Sequence, residues 1–542
     1  MWRKVLYLGL ALQFAAIMIA ATRGTILALL IAGFFTLLYL GWKGQQRTRI
    51  LARVALAGGL AFVALFFGFR EQLKQAPIES VRRIASISLQ DETVSSRLFV
   101  WNNVLTVALE RPLTGYGAEH VSSLFNRVYD PAAILEQWFD RTHNAFLDYF
   151  VQYGVLGVLL YTGLIGSLGL AGFTLFLRGD RYGILLILLA CVYAIQNFFV
   201  FDTAITLWLL LAVLAAALAY ASSGNGGANK EVPFTLRVRT KLLSYGIAGA
   251  ILILLYPIAI QPLRANILLA QGYTDHVADV NRAIILFNQG LALGTYADIE
   301  YGYQAYVMYT DHQQAMLTGE KRVAAYRYAL KTLTSNFERY PYDARTAVYL
   351  AHVLDSAPPE EAVDEGFLRT VLARAIEFSP KRIQPHYILS NISLKKGDKA
   401  TNPVQRNQYY RDAIGMLEEY ARQVPDLAEP RFIVASLYVV VGDRISGKRW
   451  ADEGLPLYRG GEGVARKALR YYIAVEDWPN VRRFLGDVVA ADPTDYPSLY
   501  DLAKAEWLTG DRDRALEIFE VVRTKAPDLA QTDPEFLKAI GQ

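Results

Sequence analysis

Val155–Leu177 reads VLGVLLYTGLIGSLGLAGFTLFL, an unbroken stretch without one charged side chain. A hydrocarbon core about 30 Å thick takes roughly 20 apolar residues of helix to cross. Nothing in that core satisfies a bare backbone, so the stretch predicts a membrane-spanning helix. Working outward, comparable runs lie at Val5–Ala21, Gly24–Leu40, Leu51–Phe69, Gly183–Phe199, Ala204–Tyr220 and Leu242–Ile260. The first also suits a signal peptide, with Arg3 and Lys4 ahead of it and Ala20-Ala21 at its end. A second apolar run follows at once, which favours a retained hairpin.

Apolar residues crowd into the first half of the 542-residue chain, and mean hydropathy is positive at +0.20. The remainder is rich in Arg, Asp, Glu, Tyr and Ala, like an ordinary soluble domain. A net charge of +4 gives no nucleic-acid footprint. Six histidines and one cysteine are too few for a zinc cluster or a disulfide framework, and no metal or cofactor is expected. Cys191 falls inside an apolar run, as a small residue facing lipid or a neighbouring helix.

Short cytoplasmic loops carry an excess of Lys and Arg. Arg3 and Lys4 precede the first run; Lys43, Arg47, Arg49 and Arg53 follow the second; Arg178 and Arg181 follow the fourth; Lys230, Arg237, Arg239 and Lys241 precede the last. These loops alternate, so all can be cytoplasmic. The outer face then receives the Thr22-Arg23-Gly24 turn, the loop 70–144, the Phe201-Asp202-Thr203 link and everything after about Gln261. Ser222–Asn229, with its Gly, Ser and Asn residues, is a flexible cytoplasmic linker.

The soluble half shows fixed spacings. Pro380 precedes Gly397-Asp398, Pro425 precedes Gly442-Asp443 and Pro493 precedes Gly510-Asp511, with 17 positions from Pro to Gly each time. Pro527 follows Pro493 by 34. Pro opens a helix without penalty at its first turn, and Gly-Asp makes the tight turn to an antiparallel partner. Between the markers run amphipathic segments such as Ala515-Leu516-Glu517-Ile518-Phe519. This pattern resembles tetratricopeptide repeats. The interval from Pro380 to Pro425 is 45, so insertions are expected, and Arg264–Ser356 is helical with degenerate or no clear repeats. The fold class expected is therefore all-α: a multi-pass transmembrane bundle followed by an extracytoplasmic α-solenoid. Residues 1–220 form the transmembrane domain with its outer loop 70–144. Residues 221–263 hold a linker and the final span, and 264–542 the repeats. The repeats either act as a spacer or offer a concave surface to a protein or glycan partner.

Several polar residues do not fit a passive bundle. Arg23 shares its turn with only Thr22 and Gly24, and an arginine deep in lipid costs about 2.5–3.5 kcal/mol unless it snorkels to the interface. Ser95-Ser96-Arg97 opens an amphipathic helix along the membrane surface, with Trp101, Val104, Leu105 and Ala108 on one face, ended by Pro112. Gly115-Tyr116-Gly117 makes a tight turn. Thr142 or Asn144 can cap the helix after Arg141-Thr142-His143-Asn144, leaving His143 at a helix N-terminus whose dipole disfavours its charged form. Arg23, Arg97 and His143 come from separate segments, and the topology puts all three on the outer face. Two guanidinium groups and one neutral imidazole can bind a diphosphate and activate a hydroxyl.

Taken in order, Thr22-Arg23-Gly24, Ser96-Arg97-Leu98 with Trp101, Arg111-Pro112-Leu113-Thr114-Gly115-Tyr116-Gly117, and Arg141-Thr142-His143-Asn144 running into Tyr153-Gly154-Val155-Leu156-Gly157 resemble the O-antigen ligase and polymerase family. The resemblance covers about 1–220. It implies a metal-independent, inverting glycosyltransferase in the cytoplasmic (inner) membrane. Such an enzyme takes a glycan from an undecaprenyl diphosphate carrier at the outer face and passes it to a lipid, polysaccharide or protein. On that resemblance Arg23 and Arg97 bind the carrier diphosphate and His143 assists the acceptor; Arg141, Tyr116 and Asp140 are weaker site candidates. Family members usually have several more spans ahead of the Thr-Arg-Gly turn, whereas one span precedes it in this sequence, as in a fragment, a late start or a divergent short form. The competing expectation is a non-catalytic, membrane-anchored repeat scaffold for envelope assembly. A transporter fits less well, because the spans lack buried charges or paired broken helices.

Overall fold

The computed structural model of the chain describes residues 2–20, 23–76, 82, 85, 92–133, 136–223, 234–311 and 319–540. Every regular element among the described residues is helical. Two compact units emerge, Met1–Val128 with Ala133–Tyr256, and Pro257–Gln542 with Tyr129–Ala132.

The first unit holds α1 (Trp2–Ala20), α2 (Arg23–Lys43), α3 (Gln46–Gly68), α4 (Glu92–Ala108), α5 (Val121–Val128), α6 (Ala145–Leu177), α7 (Tyr182–Asn197), α8 (Ala204–Ser223) and α9 (Phe234–Leu255). Five stretches are long and apolar enough to cross a membrane: Gly24–Lys43, Gln46–Gly68, Ala145–Leu177, Ala204–Ala221 and Leu243–Asp275. Tyr7–Ile17 and α7 are apolar but shorter. Most of the expected Ser222–Asn229 linker lies outside the described residues.

One glycine breaks the helix just ahead of the Val155–Leu177 run. Gly154 interrupts α6 with φ 65° and ψ −161°, and a Cβ there would lie 2.3 Å from the Leu113 carbonyl oxygen. The break frees carbonyls that helix geometry would otherwise use, and an unmet backbone group is costly in lipid. The loop supplies the partners. Tyr116 N–H donates to Val151 O at 2.8 Å, Gly117 N–H to Gln152 O at 2.9 Å, and Val155 N–H to Pro112 O at 2.7 Å. The two glycine-bearing motifs, 111–117 and 153–157, are thus halves of one interlock. Beyond it α6 and α7 meet through Gly172 and Gly183, where a Cβ on Gly172 would sit 2.7 Å from the Gly183 carbonyl. Their shared core is Tyr161, Ile165, Leu168, Ala171 and Ala190, with Leu210 and Leu214 of α8.

The buried face of α4 is Ser96, Val100, Val104, Val107 and Ala108, with Trp101 at its edge. Leu105, expected on that face, is 39% exposed. Successive steps of four residues from Ser96 keep to one stripe and leave Leu105 one position to its side.

The second unit is a series of helix pairs, among them Ile383–Lys399 with Pro403–Gln423, Glu429–Val440 with Arg444–Gly454, Glu462–Ala474 with Trp478–Ala491, and Tyr496–Thr509 with Arg512–Lys525. The last two pairs begin 34 residues apart, at Glu462 and Tyr496. Gly-Asp does a double task at Gly442-Asp443 and Gly510-Asp511. The glycine turns left-handed, with φ 85° and 95°, and the aspartate caps the next helix. Gly397 behaves otherwise: its helix continues to Lys399, and its bare Cα admits the Tyr410 ring, which a Cβ would approach to 3.0 Å. The marker prolines Pro380, Pro425 and Pro493 lie in the loops before the helices, whereas Pro430 and Pro497 occupy first turns. The pairs also extend back through 261–378, so the segment expected to be degenerate has the same construction.

Tyr129 and Asp130 belong to this second unit. The Arg382 guanidinium is wholly buried, lies 4.1 Å from the centre of the Tyr129 ring, and donates from Nε to Ser379 Oγ at 3.1 Å. Asp130 pairs with Lys381 at 2.8 Å. Burial pushes Arg382 down to about 10.

Candidate functional site

The site candidates are organised around Phe198–Asp202, the link that follows α7. Phe199 comes first. A Cβ added to Gly24 would lie 3.2 Å from Phe199 Cβ, so the start of α2 rests against this residue. Arg23 is the first residue of α2; its side chain and Thr22 fall outside the described structure. Arg97, half-buried on α4, donates from Nη1 to the Phe199 carbonyl at 3.4 Å. The start of α2 and the first turns of α4 therefore meet at one residue.

His143 approaches the same link from the other side. Its ring lies 5.5 Å from Phe201 and 5.9 Å from Phe139, centre to centre. The chain around it is held on both flanks. Ala145 N–H donates to Val200 O at 3.0 Å, and Trp101 Nε1 donates to Thr142 O at 2.7 Å. Trp101 also packs edge-on against Phe198 at 5.6 Å. Asn144 is the cap of α6: its backbone is extended, and its side chain accepts from Leu147 N–H at 3.2 Å. His143 stands one residue ahead of that cap, with a left-handed φ of 56°. Its imidazole is pushed below the ordinary value of 6.5, by burial first and by the nearby Arg97 charge second; Glu136 and Asp140 pull the other way. Burial and Arg97 thus lead where sequence pointed to the helix dipole.

Arg141 reaches the same link, its guanidinium 5.8 Å from the Phe201 ring centre, and it pairs with the exposed Glu119 at 2.7 Å. Tyr116 is engaged elsewhere. Its hydroxyl donates to Glu110 at 2.8 Å, Glu110 also holds Arg127, and the Arg111 guanidinium lies 4.9 Å from its ring centre. Those contacts make Tyr116 a strut of the glycine interlock. The arrangement unites Arg97, Arg141 and His143 at Phe199–Phe201, with the backbone of Gly24 against Phe199. Chemically it combines guanidinium groups suited to phosphate oxygens with an imidazole held neutral enough to accept a proton.

The sequence marks Asp202 only as part of a short link between apolar runs. Its carboxylate accepts from Tyr161 at 2.6 Å, Asn197 at 3.0 Å, Thr206 at 3.2 Å and also from Tyr193. Three helices are tied to the link by this one side chain. The available signal was a lone acid between two apolar runs that themselves carry Tyr193, Asn197 and Thr206.

A family model described as O-Antigen ligase matches residues 8–162. The matched region runs from α1 through the interlock and includes Arg23, Arg97, Arg141 and His143. None of the curated proteins matches this chain. Among solved structures, a thermophilic TPR protein in Thermus thermophilus is 15% identical, with 38% of this chain and 96% of that chain covered, at a TM-score of 0.28. The human IFIT1 dimer with m7Gppp-AAAA is 14% identical, with 81% and 96% covered, at a TM-score of 0.26. Residues 8–162 are thus similar to the O-antigen ligase family, within a multi-pass membrane chain whose second unit is built of paired helices.

Proposed function

We propose that this protein transfers a glycan from an undecaprenyl diphosphate carrier to an acceptor hydroxyl at the outer face of the cytoplasmic membrane, with His143 as the base. The observation that carries the reading is that Arg97 and His143, both inside the region that matches the ligase family, approach one another at Phe199–Phe201. The acceptor oxygen attacks the anomeric carbon on the side opposite the diphosphate. The bond from that carbon to the phosphate oxygen breaks, and the diphosphate leaves with the bonding electrons. The acceptor proton passes to the imidazole. Attack from the opposite side inverts the anomeric centre.

Diphosphate is a competent leaving group, so what the protein must add is positive charge where negative charge develops. Arg97 can supply it with a bidentate guanidinium, joined by Arg23 from the start of α2; Arg141 can do so by exchanging Glu119 for substrate. A neutral His143 is the form that accepts a proton, and the neighbouring arginine charge helps to hold it there. The alternating Lys and Arg of the short loops support an outer location for the site and the repeats.

The test uses a producing strain without its own copy, complemented by the full chain. Wild type is expected to restore the mature glycoconjugate. Arg97→Ala and His143→Ala are expected to accumulate in the membrane at wild-type level yet leave glycan on the carrier. Full restoration by both variants would make the chain a scaffold instead.

A further inference from the structure

Among the described residues that are not glycine, His143 is one of three with positive φ; Glu119 and Glu476 are the others. A left-handed backbone costs an ordinary L-residue about 1–2 kcal/mol, so it persists only where its surroundings fix it. At His143 the fixing elements are visible. The preceding residue, Thr142, is wholly buried, and both its backbone N–H and its hydroxyl reach one atom, Asp148 Oδ1, at 2.8 and 2.7 Å. Its carbonyl accepts from Trp101 at 2.7 Å. On the other flank Asn144 caps α6 and Ala145 N–H holds Val200 O. The peptide on each side of His143 is thereby anchored, and the imidazole is left to project between Phe139 and Phe201.

Asp148 is the unusual member. It sits in the first turn of α6, only 4% exposed, and its second oxygen, Oδ2, is buried without a hydrogen-bond partner. A carboxyl buried at that cost calls for a function beyond packing, since an amide or an apolar residue would fill the same volume more cheaply. Its one engaged oxygen serves only Thr142, the residue that fixes the approach to His143.

We propose that Asp148 is a positioning residue for the transfer reaction: acting through Thr142, it locks His143 in its left-handed conformation and sets the imidazole against Phe201. This rests on the proposed role of His143 as base. Without the lock, the 142–144 peptide relaxes to ordinary φ and swings the ring away from Phe199–Phe201. A misplacement of about 1 Å at a reacting group costs on the order of 100-fold in rate.

The experiment follows release of undecaprenyl diphosphate by the reconstituted full chain. The donor is the carrier-linked glycan extracted from the producing cells, at varied concentration, and their membrane extract supplies the acceptor. Asp148→Ala is expected to lower kcat about 100-fold with KM for donor unchanged. Asp148→Asn keeps the Oδ1 acceptor and is expected within about fivefold of wild type. Placed on His143→Ala, Asp148→Ala is expected to add no further loss, because the two residues act as a unit. Should Asp148→Ala fail to accumulate, Thr142→Val, which removes only the hydroxyl, takes its place with the same expected loss in kcat. Wild-type kcat in Asp148→Ala, or an equal additional loss on the His143→Ala background, would overturn the proposal. If His143→Ala itself transfers at the wild-type rate, the base role fails; if His143→Ala is inactive while Asp148→Ala is fully active, the positioning role alone fails.

Discussion

Gly154→Ala is the substitution with the largest expected effect outside the reacting groups. At φ 65° and ψ −161° the backbone occupies a region open to glycine alone, which costs another residue about 1–3 kcal/mol. The new methyl would sit 2.3 Å from Leu113 O, an atom of the backbone that no side-chain rotation can move aside. The Arg111–Gly117 strip must therefore withdraw, with loss of the three interlock hydrogen bonds at Val151, Gln152 and Val155. At about 1 kcal/mol each, they bring the total to about 4–6 kcal/mol. A loss of that size lowers an apparent thermal midpoint by on the order of 10 °C or more. The assay is thermal loss of the monodisperse peak of detergent-purified protein. Gly163→Ala is the control: it lies in the same helix with nothing within 4 Å of its added Cβ, and it is expected to be neutral or to stabilise by up to about 1 kcal/mol. If the two variants melt alike, the interlock does not hold the loop to α6.

The remaining expectations are narrower. Transfer should fall on the acid side with a midpoint below 6.5, because burial and Arg97 hold His143 beneath that value and the neutral ring is the working base; a kcat profile with its acid midpoint at or above 6.5 would refute this. Tyr129→Ala should destabilise the second unit by about 3–5 kcal/mol, since it removes a buried ring and leaves the Arg382 guanidinium without it, whereas Tyr129→Phe should retain most of that; protease resistance of the repeat half against temperature reads both. Asp511→Ala should cost about 1 kcal/mol through the lost cap at Arg514 N–H, with Asp511→Asn near wild type in the same melt.

Much of the molecule could be read from the chain because its signals are local. The apolar run at Val155–Leu177 was legible as a helix, though the helix itself begins at Ala145 and is broken at Gly154 just ahead of the run. Gly442-Asp443 and Gly510-Asp511 were legible as turns because a left-handed residue and a cap are adjacent in sequence. The same dipeptide misled at 397–398, where the glycine serves the Tyr410 ring, a contact across two helices. Arg97 and His143 were legible as site candidates from residue chemistry and topology. Phe199–Phe201, which joins them, was not, since its partners come from α2, α4 and α6. Nothing local in the sequence singles out Asp148 or Asp202, because their roles lie in contacts with Thr142 and with three helices. Tyr116, another candidate, has its hydroxyl engaged with Glu110 in the fold, a contact the sequence does not show.

The most direct measurement is the initial rate of undecaprenyl diphosphate release from the carrier-linked glycan by the reconstituted full chain, wild type against His143→Ala. Release by wild type should depend on acceptor, and the rate should fall at least about 100-fold in the variant while it remains folded and monodisperse. Equal rates in the two proteins, or no release from wild type with donor and acceptor both present, would contradict this expectation.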